Sequence, residues 1–209
     1  MYDQRVKDRI ESGVTAFVLA GGKSSRMGSD KAFLQFGDGT LLLRALRLAS
    51  TVAGEVRIVG DAKKFAAFGR VVEDVYRDRG PLGGIHAGLA SSATEFNLVL
   101  AIDVPFVSQE LLRYLLMQAR ESEAIVTVPR AARGLQPLCG VYRRSFAKVA
   151  EQALREGRNK IDELFGKVET RVVAESELAE AGFSVEMFQN LNTPEEWEKA
   201  KLAHSRADN

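Results

Sequence analysis

VTAFVLAGGKSSRMGSDK, at residues 14–31, is the stretch from which the fold of this chain can be predicted. Its first seven residues, 14–20, are apolar or β-branched and run directly into Gly21 and Gly22. A short apolar run that ends at glycines is typical of a strand buried on both faces of a sheet. The stretch therefore predicts a buried strand followed by a glycine-rich loop.

The loop after this strand has the composition of a phosphate-binding site. Glycines let a ligand approach the backbone closely, and the exposed N–H groups of such a loop can hold phosphate oxygens. Three cationic side chains and a single acid follow the first two glycines: Lys23, Arg26, Lys31 and Asp30. Arginine offers phosphate a planar fork of donors, and lysine offers a compact charge. Composition alone leaves a second interpretation open, a solvated turn with incidental basic residues.

Two common phosphate motifs are excluded by the spacing of the glycines. A P-loop needs a glycine five positions before Gly22, where Phe17 stands. The dinucleotide fingerprint Gly-x-Gly-x-x-Gly does not fit, because Gly21 and Gly22 are adjacent.

Short apolar runs alternate with stretches of helical periodicity along the rest of the chain. We predict strands at 14–20, 56–59, 71–72, 97–102, 124–128, 138–142 and 170–174, and helices at 41–52, 85–90, 108–120, 143–155 and 194–203. This alternation predicts an α/β fold of the Rossmann-like type, in which helices cover both faces of a mostly parallel sheet in three αβα layers. Ligands of such folds bind beyond the carboxyl ends of the strands. That rule selects residues 21–31, a glycine-rich turn at 80–84, and residues 103–105.

The length, the charge balance and the cysteine content of the chain limit its possible partners and its number of domains. The 209 residues carry 29 Lys+Arg against 28 Asp+Glu, a balance without the basic excess of a nucleic-acid surface. We find no apolar stretch of membrane-spanning length and no signal core, so we expect a cytoplasmic protein without a membrane segment. The single cysteine, Cys139, excludes an intramolecular disulfide and is expected to be a packing residue. We predict one domain at 13–204, an extension at 1–12 and a tail at 205–209.

Carboxylates follow two of the predicted strands. Asp103 comes directly after 97–102 and is followed by Pro105. One or two carboxylates together with substrate phosphates are the usual protein site for Mg²⁺, although an aspartate can equally cap the next turn. Asp74 follows strand 71–72, and Asp78 precedes the glycine-rich turn.

Several of these stretches resemble the molybdenum cofactor guanylyltransferase family. Residues 19–32 resemble its signature L-A-G-G-x-S-x-R-M-G-x-D-K-A, and residues 102–106, IDVPF, resemble its C-D-x-P-F motif. The turn at 80–84 and the segment 189–196 also resemble family motifs. The similar stretches extend over residues 17–197. Related cytidylyl and sugar-phosphate transferases often carry alanine at the position of Gly22, so this glycine favours the guanylyl branch.

The resemblance implies roles for individual residues. Lys31, Arg26 and Asp103 are implied to be catalytic, with Asp103 as the ligand of Mg²⁺. The implied nucleotide-binding residues are Leu19, Ala20, Gly21, Gly22, Lys31, Asp74 and Asp103.

The resemblance also implies a reaction and its partners. The substrates would be GTP and Mo-molybdopterin, and the products molybdopterin guanine dinucleotide and pyrophosphate. Transient contact with molybdoenzymes or cofactor-delivery proteins is left open. Two other functions stay open: a cytidylyl- or sugar-phosphate nucleotidyltransferase of the same fold, and a non-catalytic adaptor that binds nucleotide or cofactor.

The chain departs from the family pattern at two positions. Ile102 stands where the family has cysteine, and Val59 or Gly60 stands where it has an asparagine that contacts the base or ribose. Asp78 remains a rival of Asp74 for the acidic nucleotide contact.

The resemblance is less specific about the residues that would bind the acceptor substrate, Mo-molybdopterin. It assigns Arg130, Arg133 and Gln136 to the acceptor side, although a charged surface loop is an equal alternative. Asn190 and Asn192 would lie near the acceptor or the metal, or would only cap the last helix. We assign no role to His86.

Overall fold

A computed structural model of the chain describes residues 13–21, 30–131, 134–191 and 196. Its strands are β1 Val14–Leu19, β2 Gln35–Phe36, β3 Gly39–Thr40, β4 Glu55–Val59, β5 Val71–Val72, β6 Phe96–Ala101, β7 Val126–Ala131, β8 Gly134–Leu135, β9 Cys139–Arg143 and β10 Thr170–Val173. Its α-helices are α1 Leu41–Ser50, α2 Ala62–Phe65, α3 Pro81–Ser91, α4 Gln109–Arg120, α5 Phe146–Arg155, α6 Asp162–Phe165 and α7 Glu175–Glu180. Short 3-10 turns lie at Lys31–Phe33, Ala66–Phe68 and Val185–Phe188.

One mixed sheet forms the centre of the fold, with the strands in the order β10-β7-β9-β6-β1-β4-β5 and β8 paired with β7. The pairs β1–β4, β1–β6, β4–β5 and β7–β10 are parallel. Strand β9 runs antiparallel to both of its neighbours, β6 and β7. The predicted mostly parallel α/β sheet is confirmed, and its exceptions are β9 and the short β8, which pairs antiparallel with β7.

Helices cover both faces of this sheet, as predicted. Because successive side chains of a strand point to opposite faces, β1 contributes to both layers. Val14, Ala16 and Val18 pack on the face covered by α1, α4 and α7, whereas Phe17 and Leu19 pack on the face covered by α3, α5 and α6. Strand β1 is therefore buried on both sides at the centre of three layers.

Two of the long helices begin at side chains that cap their free N–H groups. Thr40 accepts a hydrogen bond from Leu43 N at 3.3 Å before α1, and Ser108 accepts one from Leu111 N at 3.3 Å before α4. Such caps supply partners that the first helical turn lacks. The predicted cap at Ser108 is confirmed.

The predicted boundary of α3 is wrong. The glycine-rich turn was expected to extend over 80–84 with the helix starting at 85, but the helix begins at Pro81. Glycine weakens a helix by about 1 kcal/mol relative to alanine, which is why the pattern indicates a turn. Packing overrides that preference, because Gly83 and Gly84 lie against neighbouring chain segments.

Other elements were not predicted or cannot be compared. The prediction did not include the hairpin β2–β3 or the short helices α2, α6 and α7. The two strands of the hairpin have two residues each, and each of these helices is shorter than two turns, so neither gives a periodic pattern long enough to recognise. The predicted helix at 194–203 lies outside the described residues except for residue 196. Residues 1–12 and 205–209 also lie outside them, so the division into domains stays a prediction. Within the described ranges, no helix is long and apolar enough to cross a membrane.

Candidate active site

The carboxyl ends of β1 and β6 meet at the centre of one sheet edge. Leu19 pairs with Ala101 in the register of these strands, and Ile102 N donates a hydrogen bond to Leu19 O at 3.4 Å. Asp103 follows immediately, so its carboxylate emerges beside the loop that leaves β1. Strand order alone therefore places the two predicted sites, which lie far apart in sequence, next to each other.

Lys31 and Asp103 form an ion pair at this junction. Lys31 Nζ lies 3.0 Å from Asp103 Oδ2, although the residues are 72 positions apart. The side chain of Lys31 is 12% exposed and that of Asp103 is 26% exposed, so both are reachable but partly shielded from water. The predicted convergence of the cationic loop and the lone carboxylate is thus observed for Lys31. Gly22 and Arg26 lie outside the described residues, and their roles stay predictions.

A short 3-10 turn holds Lys31 in place. Asp30 caps this turn, because its Oδ1 accepts a hydrogen bond from Ala32 N at 3.2 Å. Lys64 Nζ of α2 donates to Asp30 Oδ2 at 2.8 Å. The buried side chain of Ala32 packs into the core beneath the turn. Sequence reasoning named Asp30 only as a charge and missed its capping role, which the spacing Asp-Lys-Ala could have indicated.

The loop that carries Asp103 is held from several directions. Leu191 N donates to Asp103 O at 3.1 Å, and Arg44 Nε of α1 donates to Pro105 O at 2.7 Å. Phe106 packs edge-on against Phe36, with 5.7 Å between the ring centroids. These contacts hold the backbone of the loop from which the carboxylate projects. Among the described residues, no group of three or more His, Cys, Asp or Glu side chains could hold a metal.

Backbone rather than side chains forms the wall at the end of β1. Ala20 N and Gly21 N both donate to Val59 O, at 3.0 and 3.2 Å. A Cβ placed on Gly21 would lie 3.7 Å from Gly60 Cα, so the two glycines bring their strands' exits close together. The approach of a ligand to this backbone, for which the glycine-rich motif was singled out, stays a prediction.

The position expected to carry an asparagine in related proteins is closed in this chain. A Cβ on Gly60 would come within 2.8 Å of the ring of Phe65, which is only 1% exposed. An amide side chain therefore cannot be accommodated at Gly60 unless Phe65 moves. The ring of Phe65 therefore occupies the space that a side chain at Gly60 would need.

Asp74 lies at the same sheet edge, beside the first turn of α3. In the sheet order, β1 and β4 lie between β6, which ends just before Asp103, and β5, which ends just before Asp74. Asp74 Oδ1 is buried and has no hydrogen-bond partner in the part of the chain that the structure describes. Burial raises the pKa of the Asp74 carboxyl above its ordinary value. A buried acceptor without a partner is suited to receive donors from a ligand.

Asp78, the rival carboxylate, has a different environment. It is exposed, and its backbone adopts a positive φ of 60°. Burial therefore favours Asp74 over Asp78 as the acidic residue of the nucleoside side, a role that stays a proposal.

Gly83 is required for Asp74 to lie where it does. A Cβ on Gly83 would be 2.8 Å from Tyr76 O and 3.5 Å from Asp74 Oδ2. We expect Gly83→Ala to lower the melting temperature by roughly 2–4 °C, because overpacking of about 1–3 kcal/mol outweighs the helix propensity that alanine adds. Gly166→Ala is the control, since a Cβ there meets nothing within 4 Å. Thermal unfolding monitored by circular dichroism measures both, and a Gly83→Ala protein as stable as the wild type would contradict the prediction.

The antiparallel strand β9 brings the predicted acceptor segment to the same edge. Because β9 runs opposite to β6, it begins where β6 ends, and Ala101 N donates to Leu138 O at 2.8 Å. The buried Tyr142 donates its hydroxyl to Pro137 O at 2.7 Å, and Gln136 Nε2 donates to Gly134 O at 3.2 Å. The segment 136–138 therefore stands beside Asp103. The structure does not test the acceptor role of these residues.

The structure describes only some of the remaining residues that were predicted to bind the acceptor. Arg130 is exposed near the carboxyl end of β7. Arg133 and Asn192 lie outside the described residues. Asn190 is half-buried, next to Leu191 and its hydrogen bond to the Asp103 loop.

Two groups that could have been chemical candidates are buried. Cys139 is fully enclosed, and desolvation raises the pKa of its thiol to about 12, which supports its prediction as a packing residue rather than a nucleophile. His86 is 6% exposed, and its ring stands edge-on to Tyr76 with 5.2 Å between centroids. Burial lowers the pKa of His86, so its ring is neutral near pH 7.

Comparison with known proteins gives consistent matches over most of the chain. The family model of the MobA-like NTP transferase domain matches residues 16–172. A probable molybdenum cofactor guanylyltransferase of Pelotomaculum thermopropionicum is 36% identical over 190 residues, which cover 90% of this chain and 92% of that protein. A molybdenum cofactor guanylyltransferase of Desulfosudis oleivorans is 34% identical over 193 residues, covering 91% and 95%. The crystal structure of molybdopterin-guanine dinucleotide biosynthesis protein A from Archaeoglobus fulgidus superposes with a TM-score of 0.81 at 25% identity, covering 92% of this chain and 99% of that one.

Proposed function

The chain belongs to the family of MobA-like NTP transferases, and from this we propose that it is a molybdenum cofactor guanylyltransferase, which transfers GMP from GTP to Mo-molybdopterin. The observation that carries the proposal is the Lys31–Asp103 pair at the junction of β1 and β6. It combines a phosphate-binding cation and a carboxylate at the point where ligands of parallel sheets bind. The cytoplasmic location expected from the sequence is part of the same proposal.

The reaction needs alignment and charge neutralisation more than a strong base. An oxygen of the acceptor's phosphate, already anionic near neutral pH, forms a bond to the α-phosphorus of GTP. The bond from that phosphorus to the β-phosphate bridge breaks, and pyrophosphate leaves with the electron pair. Two unit charges 4 Å apart repel by about 4 kcal/mol at an effective dielectric constant near 20, so cationic groups must offset this repulsion.

Lys31 and the loop after β1 would bind the triphosphate. Lys31 Nζ would exchange its contact with Asp103 Oδ2 for oxygens of a triphosphate bound at the same strand end. The backbone N–H groups of the glycine-rich loop would hold further oxygens, with Gly22 and Arg26 as predicted members. These donors act where negative charge develops on the leaving group.

Asp103 is the residue we propose as the protein ligand of Mg²⁺. A single strand-end carboxylate with one oxygen already engaged by a cation fits an ion that draws its other ligands from substrate phosphates. When bound, Mg²⁺ would supply charge neutralisation on the phosphates.

The nucleoside end would lie toward β5. The buried Oδ1 of Asp74, which has no hydrogen-bond partner among the described residues, would accept hydrogen bonds from guanine N1–H and N2–H₂ or from ribose hydroxyls. Leu19, Ala20 and Gly21 would form the backbone wall between this end and the triphosphate. The segment 136–138 would face the molybdopterin acceptor.

The proposal is tested by pyrophosphate release and product mass. The protein is incubated with Mo-molybdopterin, Mg²⁺ and each of GTP, CTP, ATP and UTP in separate reactions. We expect pyrophosphate and a guanine dinucleotide with GTP. Reaction with CTP or with a sugar phosphate would instead assign the chain to another nucleotidyltransferase class, and GTP binding without pyrophosphate release would indicate an adaptor.

Asp74→Asn is expected to raise stability while weakening GTP binding. Because burial raises the pKa of Asp74, the folded state binds more protons than the unfolded state, and stability falls as pH rises from the ordinary carboxyl pKa through the raised value. Removing the charge should therefore raise the melting temperature at pH 7, with the difference disappearing below the ordinary carboxyl pKa.

GTP affinity of the same variant should fall roughly 10-fold, on the scale of one lost hydrogen bond to a charged group. Calorimetric titration and thermal unfolding at several pH values measure the two effects. Unchanged GTP affinity would remove Asp74 from the nucleoside site.

A further inference from the structure

The loop 73–80 joins β5 to α3 and carries Asp74. The backbone of this loop packs tightly on α3, since a Cβ on Gly83 would lie only 2.8 Å from Tyr76 O. The Tyr76 ring then stands edge-on against His86 of the same helix, at 5.2 Å and an angle of 73°. Tyr76 thus contacts the first two turns of α3 through both its carbonyl and its ring.

The hydroxyl of Tyr76 links this loop to a second helix. Arg155 Nε of α5 donates to Tyr76 Oη at 3.2 Å, and the hydroxyl can donate to Glu151 Oε1 at 3.4 Å. Arg155 Nη2 also donates to Glu151 Oε1 at 2.6 Å, so the three side chains form a closed set of contacts. Helices α3 and α5 pack in the same core cluster, so the link joins the 73–80 loop to two helices that are packed together.

This set of contacts has little value for stability. The side chain of Arg155 is 69% exposed and that of Glu151 is 38% exposed, and exposed ion pairs contribute little to folding. These contacts matter more for the position of Asp74, which is two residues from Tyr76. Among the described residues, no hydrogen-bond partner fixes the direction of Asp74 Oδ1. The direction of that carboxylate is therefore set by how the loop lies on α3.

Resting on the proposed function, we propose that Tyr76 is a positioning residue that joins α5 to the 73–80 loop and thereby directs the Asp74 carboxylate toward the nucleoside. Tyr76 does not contact the reacting phosphates in this arrangement. It acts through Asp74, so it affects nucleotide affinity and leaves the chemical step nearly unchanged.

The test is calorimetric GTP binding by the wild type, Tyr76→Phe, Asp74→Asn and the double variant. Tyr76→Phe keeps the ring contact with His86 and removes only the link to α5. We expect its dissociation constant for GTP to rise roughly 3–10-fold, as for one lost hydrogen bond, with kcat within about twofold of the wild type. In the Asp74→Asn background the same change should have no further effect, because groups that act through one another are not additive.

Tyr114→Phe is the matched control, since Tyr114 lies on α4 and packs against Phe183 on the opposite face of the sheet. It should bind GTP like the wild type. Equal GTP affinity of Tyr76→Phe and wild type, or effects of Tyr76→Phe and Asp74→Asn that add, would overturn the inference. A wild-type protein that binds GTP but forms no product would overturn the proposed transfer activity while leaving the positioning role measurable, and one that binds no GTP would overturn both.

Discussion

Lys31→Ala is expected to lower turnover by roughly 10²–10³-fold, the scale of losing one preorganised donor to transition-state charge. Lys31 Nζ lies 3.0 Å from Asp103 Oδ2 and is only 12% exposed, so it stands in a shielded position where its charge is weakly screened by water. Alanine removes the cation that we propose for the triphosphate. Steady-state kinetics with GTP and Mo-molybdopterin measure the effect.

Two further variants make this measurement specific. Lys148→Ala removes an exposed lysine of α5 and should leave turnover unchanged. Lys31→Arg keeps the charge but replaces the compact ammonium by a planar fork, so it should recover only part of the rate. Turnover of Lys31→Ala near that of the wild type would refute the proposed role.

Asp103→Asn should lower activity by roughly 10²-fold or more and shift the Mg²⁺ titration to higher concentration. The amide keeps the size of the side chain but removes the charge that we propose for the metal. The backbone around residue 103 is held by Leu191 and Arg44, so the substitution should not displace the loop. A loss of activity would then report the missing carboxylate rather than a rearranged backbone.

Asp38→Asn is the matched control for that experiment, because Asp38 is an 81% exposed carboxylate paired with Arg47. It should show wild-type activity and an unchanged Mg²⁺ titration. If Asp103→Asn gave the same titration as the wild type, the metal assignment would be wrong. The double variant Lys31→Ala/Asp103→Asn should lose less than the product of the single losses, because the two groups act on one triphosphate.

The local elements and the phosphate-binding character of the first loop could be predicted from the sequence alone. Residues 14–20 indicate a buried strand through their apolar run, and Ser108 indicates the start of α4 through its side-chain oxygen. These signals are local, since each depends on neighbours within one strand or one helical turn. The resemblance at residues 19–32 and 102–106 then identified the residues that the structure brings to one edge, with Gly22 and Arg26 outside its described part.

Only the tertiary structure decided which of these residues meet. The antiparallel direction of β9, the start of α3 at Pro81 and the ion pair of Lys31 with Asp103 depend on contacts between segments that are far apart in the chain. The same holds for the link from Tyr76 to α5. Hydrophobic periodicity and capping residues depend on one segment alone, so they can be read from its sequence. Strand order and side-chain pairing depend on how all segments pack in the core, so the sequence of one segment does not determine them.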